Sequence, residues 1–118
     1  MQMAYDTSIL DQALSRRQAK WEAQRQETLA RLYQWLDKTA GQFQLQQLYI
    51  FGSLTQANTF TDHSDIDVAV INLPDEHFFK LAAALSAALG REVDLIDLEQ
   101  CHFAGKIRRE GLLWIVSD

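Results

Sequence analysis

Cysteine and proline each occur once in the 118 residues. The lone Cys101 cannot close an internal disulfide, and without a CxxC pair or a Cys/His cluster a structural zinc site is excluded too. With so little proline and 47% hydrophobic residues, the composition argues against a disordered chain. No apolar run approaches the roughly 18–20 residues needed to cross a bilayer. Met1 to Leu10 lacks a basic start followed by an apolar segment, so no signal peptide is expected, and a cytoplasmic protein is the simplest expectation. Surplus positive charge is also missing. The net charge of −5 argues against a broad nucleic-acid-binding face. Residues 1–40 hold six Lys/Arg and five Asp/Glu, net +1, whereas residues 41–118 hold five and eleven, net −6. The length suits one domain with a real core.

What is present centres on two apolar runs. Leu48-Tyr49-Ile50-Phe51 ends abruptly in Gly52-Ser53, and Ile66-Asp67-Val68-Ala69-Val70 is preceded by Asp65. Side chains alternate along a strand, so Asp65 and Asp67 would project from one side about 7 Å apart, while Ile66, Val68 and Val70 enter a core. If Gly-Ser starts a helical turn, its free N–H groups can face a phosphate.

The remaining elements follow from periodicity. Residues 8–39 read as helix, with Leu10, Leu14, Trp21, Leu29, Leu32 and Leu36 within about a 100° arc. Ser8 is the expected cap, with Asp11 three residues on, and Lys38 and Gly41 suit the other end. In one piece this helix spans roughly 45 Å, more than a domain of this size, so it should overhang or bend near Arg16–Arg17. The first part of the stripe would then either fold back on the chain's own core or bury against a partner. Arg16, Arg17, Lys20 and Arg25 read as a solvated face, with helix-spaced pairs such as Glu27–Arg31. Strands are expected at 46–51, 65–72, 92–98 and 112–116, and helices at 53–57, 75–89 and 99–110. The order describes an α/β (α+β) fold, a small mixed sheet with helices packed on it.

Phe51-Gly52-Ser53, then Asp65-Ile66-Asp67, then Val93-Asp94-Leu95-Ile96-Asp97 resembles the signature of the nucleotidyltransferase superfamily. The small size and the closing Ile107-Arg108-Arg109-Glu110-Gly111-Leu112-Leu113 resemble its minimal branch, many of whose members are antitoxins of HEPN-domain ribonucleases. The resemblance covers about Leu29 to the C-terminus and leaves residues 1–28 as an N-terminal extension of the 29–118 domain. It implies a nucleotidyltransferase fold and a site in which Asp65, Asp67 and Asp94 hold two Mg²⁺ ions. Gly52 and Ser53 would bind the phosphates of ATP. Eleven residues, Leu54 to Ser64, separate the two motifs where the branch most often has ten, so the loop is extended.

Each residue also suits the chemistry. Two divalent ions clamp the attacking and leaving oxygens of a phosphoryl transfer, and Mg²⁺ favours carboxylate oxygens. Asp94 could accept the proton of the attacking hydroxyl. Asp97, three residues on, faces the other way and reads as a strand-end cap. His63 reads as a loop histidine, and His77 and His102 as surface or structural residues. Lys106, Arg108 and Arg109 read either as a solvated face or as anion-steering groups, and Tyr49 and Trp114 as core. The implied activity is transfer of AMP from ATP to a tyrosine hydroxyl of a HEPN ribonuclease partner, which would inactivate it. The alternatives are an antitoxin that blocks its partner by binding alone, and a small-molecule nucleotidyltransferase.

Overall fold

The apolar stripe that opens the chain forms one unbroken helix, α1 (Ser8–Thr39), in a computed structural model that describes residues 7–117. Helical hydrogen bonding continues without a break through Arg16–Arg17. Its 32 residues span about 48 Å at 1.5 Å each, and the molecule measures 68 × 28 × 24 Å. The cap residue is Thr7 rather than Ser8, and its side chain makes no capping bond; its carbonyl accepts from the Asp11 N–H at 2.8 Å. Gly41 is not the stop either. The helix tightens into a 3₁₀ turn, Ala40–Phe43, and the chain reverses at Gln44, which takes the left-handed conformation.

Four strands follow: β1 (Gln47–Phe51), β2 (Ile66–Val70), β3 (Val93–Asp97) and β4 (Leu112–Ile115), in spatial order β3-β2-β1-β4. β1 runs antiparallel to both β2 and β4, and β2 runs parallel to β3. A parallel pair needs a long crossover, which α2 (Asp75–Leu89) supplies. Pro74 precedes α2, Asp75 and Glu76 sit in its first turn where carboxylates complement the helix dipole, and Gly90 closes it in the left-handed conformation. The final helix is shorter than 99–110. A 3₁₀ turn, Leu98–Gln100, is capped by Asp97, and α3 (Ala104–Glu110) begins only after Phe103.

The two faces of the sheet are covered unequally. Leu48, Ile50, Ile66, Val68, Val70 and Leu95 point to one side and pack under Leu32 and Leu36 of α1 and Leu81, Leu85 and Leu89 of α2. Trp114 joins this core, and its indole N–H donates to Asp37 at 3.0 Å. The opposite face carries Tyr49, Phe51, Ala69 and Ile96, covered by a smaller cluster of Leu98, Cys101, Ala104 and Ile107. Beyond them, the edge strand β4 leaves Leu113 and Ile115 exposed on this second face.

The first part of α1 touches none of this. Leu10 and Leu14 remain 60% and 46% exposed, so these two do not fold back on the core, whereas Trp21 is half-buried. Arg31 makes no helix-spaced pair with Glu27; it donates to the Ala88 carbonyl at 2.8 Å and ties α1 to the end of α2. Leu32→Ala should therefore cost about 2–4 kcal/mol in urea unfolding. Leu10→Ala should change the stability of the isolated chain by less than about 0.5 kcal/mol.

Candidate active site

Strand register brings the predicted carboxylates together. Asp67 lies opposite Phe51 across the antiparallel pair and opposite Asp94 across the parallel pair. Because Ile66 and Val68 are buried in the main core, Asp67 must project to the thinly covered face, where Asp94 also points. Asp65 stands just outside β2 and is exposed, yet near enough for its charge to act on Asp67. Asp97 faces away and accepts a hydrogen bond from the Glu99 N–H at 3.0 Å, which makes it a cap.

Gly52 closes the site from above. Its φ of +76° is one that side chains resist, and a Cβ there would collide with the Asp67 carboxylate. Gly52 and Ser53 begin the 3₁₀ turn Gly52–Thr55, not a longer helix. The Thr55 hydroxyl donates to the Gly52 carbonyl at 2.8 Å, and the Thr59 hydroxyl donates to the Ser53 carbonyl at 2.8 Å. Both carbonyls are thus engaged from below.

The extended loop between the motifs is pinned on two sides by residues that the motifs do not contain. From α1, Arg25 forms a two-bond pair with Glu22 at 2.9 and 2.6 Å and donates to the Leu54 carbonyl at 3.1 Å. Glu22 in turn accepts from the Asn58 N–H at 3.0 Å. The Arg25 bonds, then those from Asn58 and Gln26, hold the Glu22 carboxyl down to about 2. Arg25 is therefore a clamp, not part of a solvated face. From the other side, one guanidinium nitrogen of Arg91 donates to the carbonyls of Thr61 at 3.1 Å, Asp62 at 3.4 Å and Ser64 at 2.9 Å. The same guanidinium lies 4.2 Å from the centre of the buried Phe60 ring. Arg91 thus sets the chain path into Asp65. These bonds join residues about 30 positions apart, so local spacing could not reveal them.

The carboxylates carry uncompensated negative charge. Among the described residues, no Lys or Arg pairs with Asp65, Asp67 or Asp94. Burial, then the charges of Asp94 and Asp65, push the Asp67 carboxyl up to about 6. A divalent cation between the three would relieve that repulsion. The all-carboxylate donor set suits Mg²⁺ rather than zinc. Among the described residues no three His, Cys, Asp or Glu side chains stand close enough to enclose an ion alone.

The other candidates separate clearly. His63 is exposed on the loop. His77 stacks edge-on against Phe43, and His102 against Phe103. Tyr49 and Trp114 belong to the two cores. Arg108 and Arg109 are exposed, whereas Lys106 lines a cleft of about 180 Å³ beside Gly52. Sequence reasoning missed this cleft because its walls come from β1, the Gly-Ser turn and α3 together.

Residues 34–118 match the family described as polymerase beta, nucleotidyltransferase. The chain belongs to the nucleotidyltransferase family. Among solved structures it is similar to chains of toxin–antitoxin complexes. A mutant of the MntA–HpeT pair shares 30% identity over 74% of this chain and 71% of that one, with a TM-score of 0.53. A toxin–antitoxin with AMP-PNP shares 33% over 63% of each chain, with a TM-score of 0.51. The MntA–HepT pair shares 26% over 78% and 73%, with a TM-score of 0.52. A search of curated proteins finds no match. No helix among the described residues is long and apolar enough to cross a membrane.

A carboxyl raised in the folded state contributes its full stability below about pH 4 and loses it as the pH climbs through about 6. In EDTA at pH 7.5, Asp67→Asn should therefore raise stability by about 1–2 kcal/mol, the partial exposure of the group having been discounted. At pH 4 the advantage over the parent should disappear, which thermal melts at the two pH values would show.

Proposed function

We propose that this protein is an antitoxin acting as a Mg²⁺-dependent protein adenylyltransferase, which moves AMP from ATP to a tyrosine hydroxyl of a HEPN ribonuclease and so inactivates it. The observation that carries the reading is the cluster of Asp65, Asp67 and Asp94 beneath a glycine with no room for a side chain. Family membership supports nucleotidyl transfer. The similar toxin–antitoxin complexes, one of them with AMP-PNP, support the partner and the adenine nucleotide. The reading sets the protein in the cytoplasm, with ATP and its partner.

In this reading Gly52 and Ser53 bind the phosphate tail through backbone N–H groups and the Ser53 hydroxyl. Asp65, Asp67 and Asp94 would hold the metal, which when bound neutralises the triphosphate and lowers the pKa of the attacking hydroxyl. Asp94 accepts the hydroxyl proton as the tyrosine oxygen bonds to the α-phosphorus. The bond from that phosphorus to the bridging oxygen breaks, and pyrophosphate leaves. Arg25 and Arg91 hold the loop between the motifs and so position the site without touching substrate.

The acceptor has to bring its own docking surface, because the domain spends its residues on packing the two faces of one small sheet. The overhang of α1 is where it would bind. Leu10 and Leu14 are bare there, Arg16, Arg17 and Lys20 flank them, and the helix is clamped two turns later to the site loop. An acidic, apolar-centred face on the ribonuclease would complement it.

Two measurements test the proposal. Intact mass of the partner after incubation with this protein, ATP and Mg²⁺ should rise by one or more AMP units. Asp65→Asn/Asp67→Asn should abolish the rise and restore ribonuclease activity. If that double variant still neutralises the ribonuclease while leaving its mass unchanged, blocking by binding is the mechanism. Leu10→Glu/Leu14→Glu should lower the rate of modification at least about tenfold, since two buried apolar anchors are lost, and should leave ATP binding intact.

A further inference from the structure

The clamp that α1 places on the site loop comes from ahead of the span matched to the family, which begins at residue 34. Arg25 donates to the Leu54 carbonyl at 3.1 Å, and Leu54 follows Ser53 inside the Gly52–Thr55 turn. Glu22 holds Arg25 by two bonds and accepts from the N–H of Asn58, a residue in the left-handed conformation. Residues three apart meet on one side of a helix, so the clamp exists only while residues 22–25 are helical. Were that turn to unwind, the Leu54 carbonyl and the Asn58 N–H would lose their partners. The backbone set over Asp67 would then rest on the Thr55 and Thr59 bonds.

Helicity at the clamp is not secured from the N-terminal side. Ser8 to Lys20 are exposed throughout, and Thr7 makes no side-chain capping bond. A helical segment of that length is marginal in water without tertiary contacts, and opening that starts at such an end runs inward. Two features tie this segment to the clamp. The Arg17 guanidinium lies 6.0 Å from the centre of the Trp21 ring, so the overhang packs beside the turn that carries Glu22. Trp21 Nε1 and Gln24 Oε1 are both buried with no hydrogen-bond partner among the described residues. A buried donor and a buried acceptor left unpaired weigh against the clamped arrangement and narrow its margin. A modest bias on the overhang is then enough to shift it.

We propose that Glu22 and Arg25 couple acceptor docking on the overhang to nucleotide binding at the Gly-Ser turn. A partner seated on Leu10 and Leu14 fixes the overhang as helix, the clamp holds Leu54 and Asn58, and the turn is set over Asp67. Linkage makes the effect reciprocal: nucleotide tightens docking by the same factor by which docking tightens nucleotide. This rests on the nucleotidyl-transfer reading above and adds that α1 governs the site as well as receiving the acceptor.

The coupling can be tested on the full chain without the acceptor, by loosening the overhang. Gln18→Gly/Ala19→Gly alters two exposed positions, and each glycine disfavours helix about three- to fivefold. Titration calorimetry with Mg²⁺ and α,β-methylene-ATP, which cannot transfer AMP, should show affinity about fivefold weaker, a usual size for coupled sites. Amide hydrogen exchange at Leu54 to Asn58 should speed up in the same variant. The helix-preserving control Gln18→Ala should match the parent in both. In an Arg25→Ala background the glycines should have no further effect. Glu22→Gln, which removes the charge that holds Arg25, is the second background and should behave alike. If the glycines leave loop exchange unchanged, speed it without weakening the nucleotide, or act equally in both backgrounds, no coupling runs through the clamp. A parent chain that binds no nucleotide, although its loop exchange follows the overhang, would instead remove the nucleotidyl-transfer reading, and the coupling to nucleotide with it.

Discussion

The charges of Asp94 and Asp65 act on the half-buried Asp67 carboxyl, and the architecture is arranged around holding it there. The restraint is the register of β2. Ile66, Val68 and Val70 are almost wholly buried on one face, so Asp67 has only the other face to occupy. A slip of one residue would expose three core side chains, and burial of one such side chain is worth about 1.5–3 kcal/mol. That exceeds what the repulsion at Asp67 can return. The hydrophobic core thus offsets an electrostatic cost that serves the site, a trade often seen where activity and stability compete.

Backbone position above the carboxylates is secured differently. The Gly-Ser turn and its loop bury few side chains of their own, apart from Leu54 and Phe60. They are held by charged groups reaching in from far along the chain, Arg25 with Glu22 from α1 and Arg91 from the turn between α2 and β3. Bonds to carbonyls restrain the path of the chain and leave side chains free.

These two modes of restraint explain what could be read from the sequence. The α1 and α2 spans were legible to the residue because their apolar positions recur at helical spacing and Gly90 marks a stop. β2 and β3 were legible because their apolar residues alternate with Asp67 and Asp94. The pairing of β1 with both neighbours carries no local mark. Nor does the gap between the Leu98–Gln100 turn and α3, since Leu98 and Ile107 continue one apolar pattern across it. Asp65, Asp67, Asp94, Gly52 and Ser53 stood out because three short motifs together resemble a family signature. Arg25 looked like any surface arginine, and Arg91 lay 27 positions from the Ser64 carbonyl it grips.

The edge strand β4 has a consequence of its own. Leu113 and Ile115 lie bare on a strand with no neighbour on its outer side, and Val116 continues the exposure. Such an edge is a template for joining to another strand. Together with the uncovered stripe of α1, it leaves the isolated chain two separate apolar surfaces in water, and exposed apolar surface of this kind is what drives chains to associate.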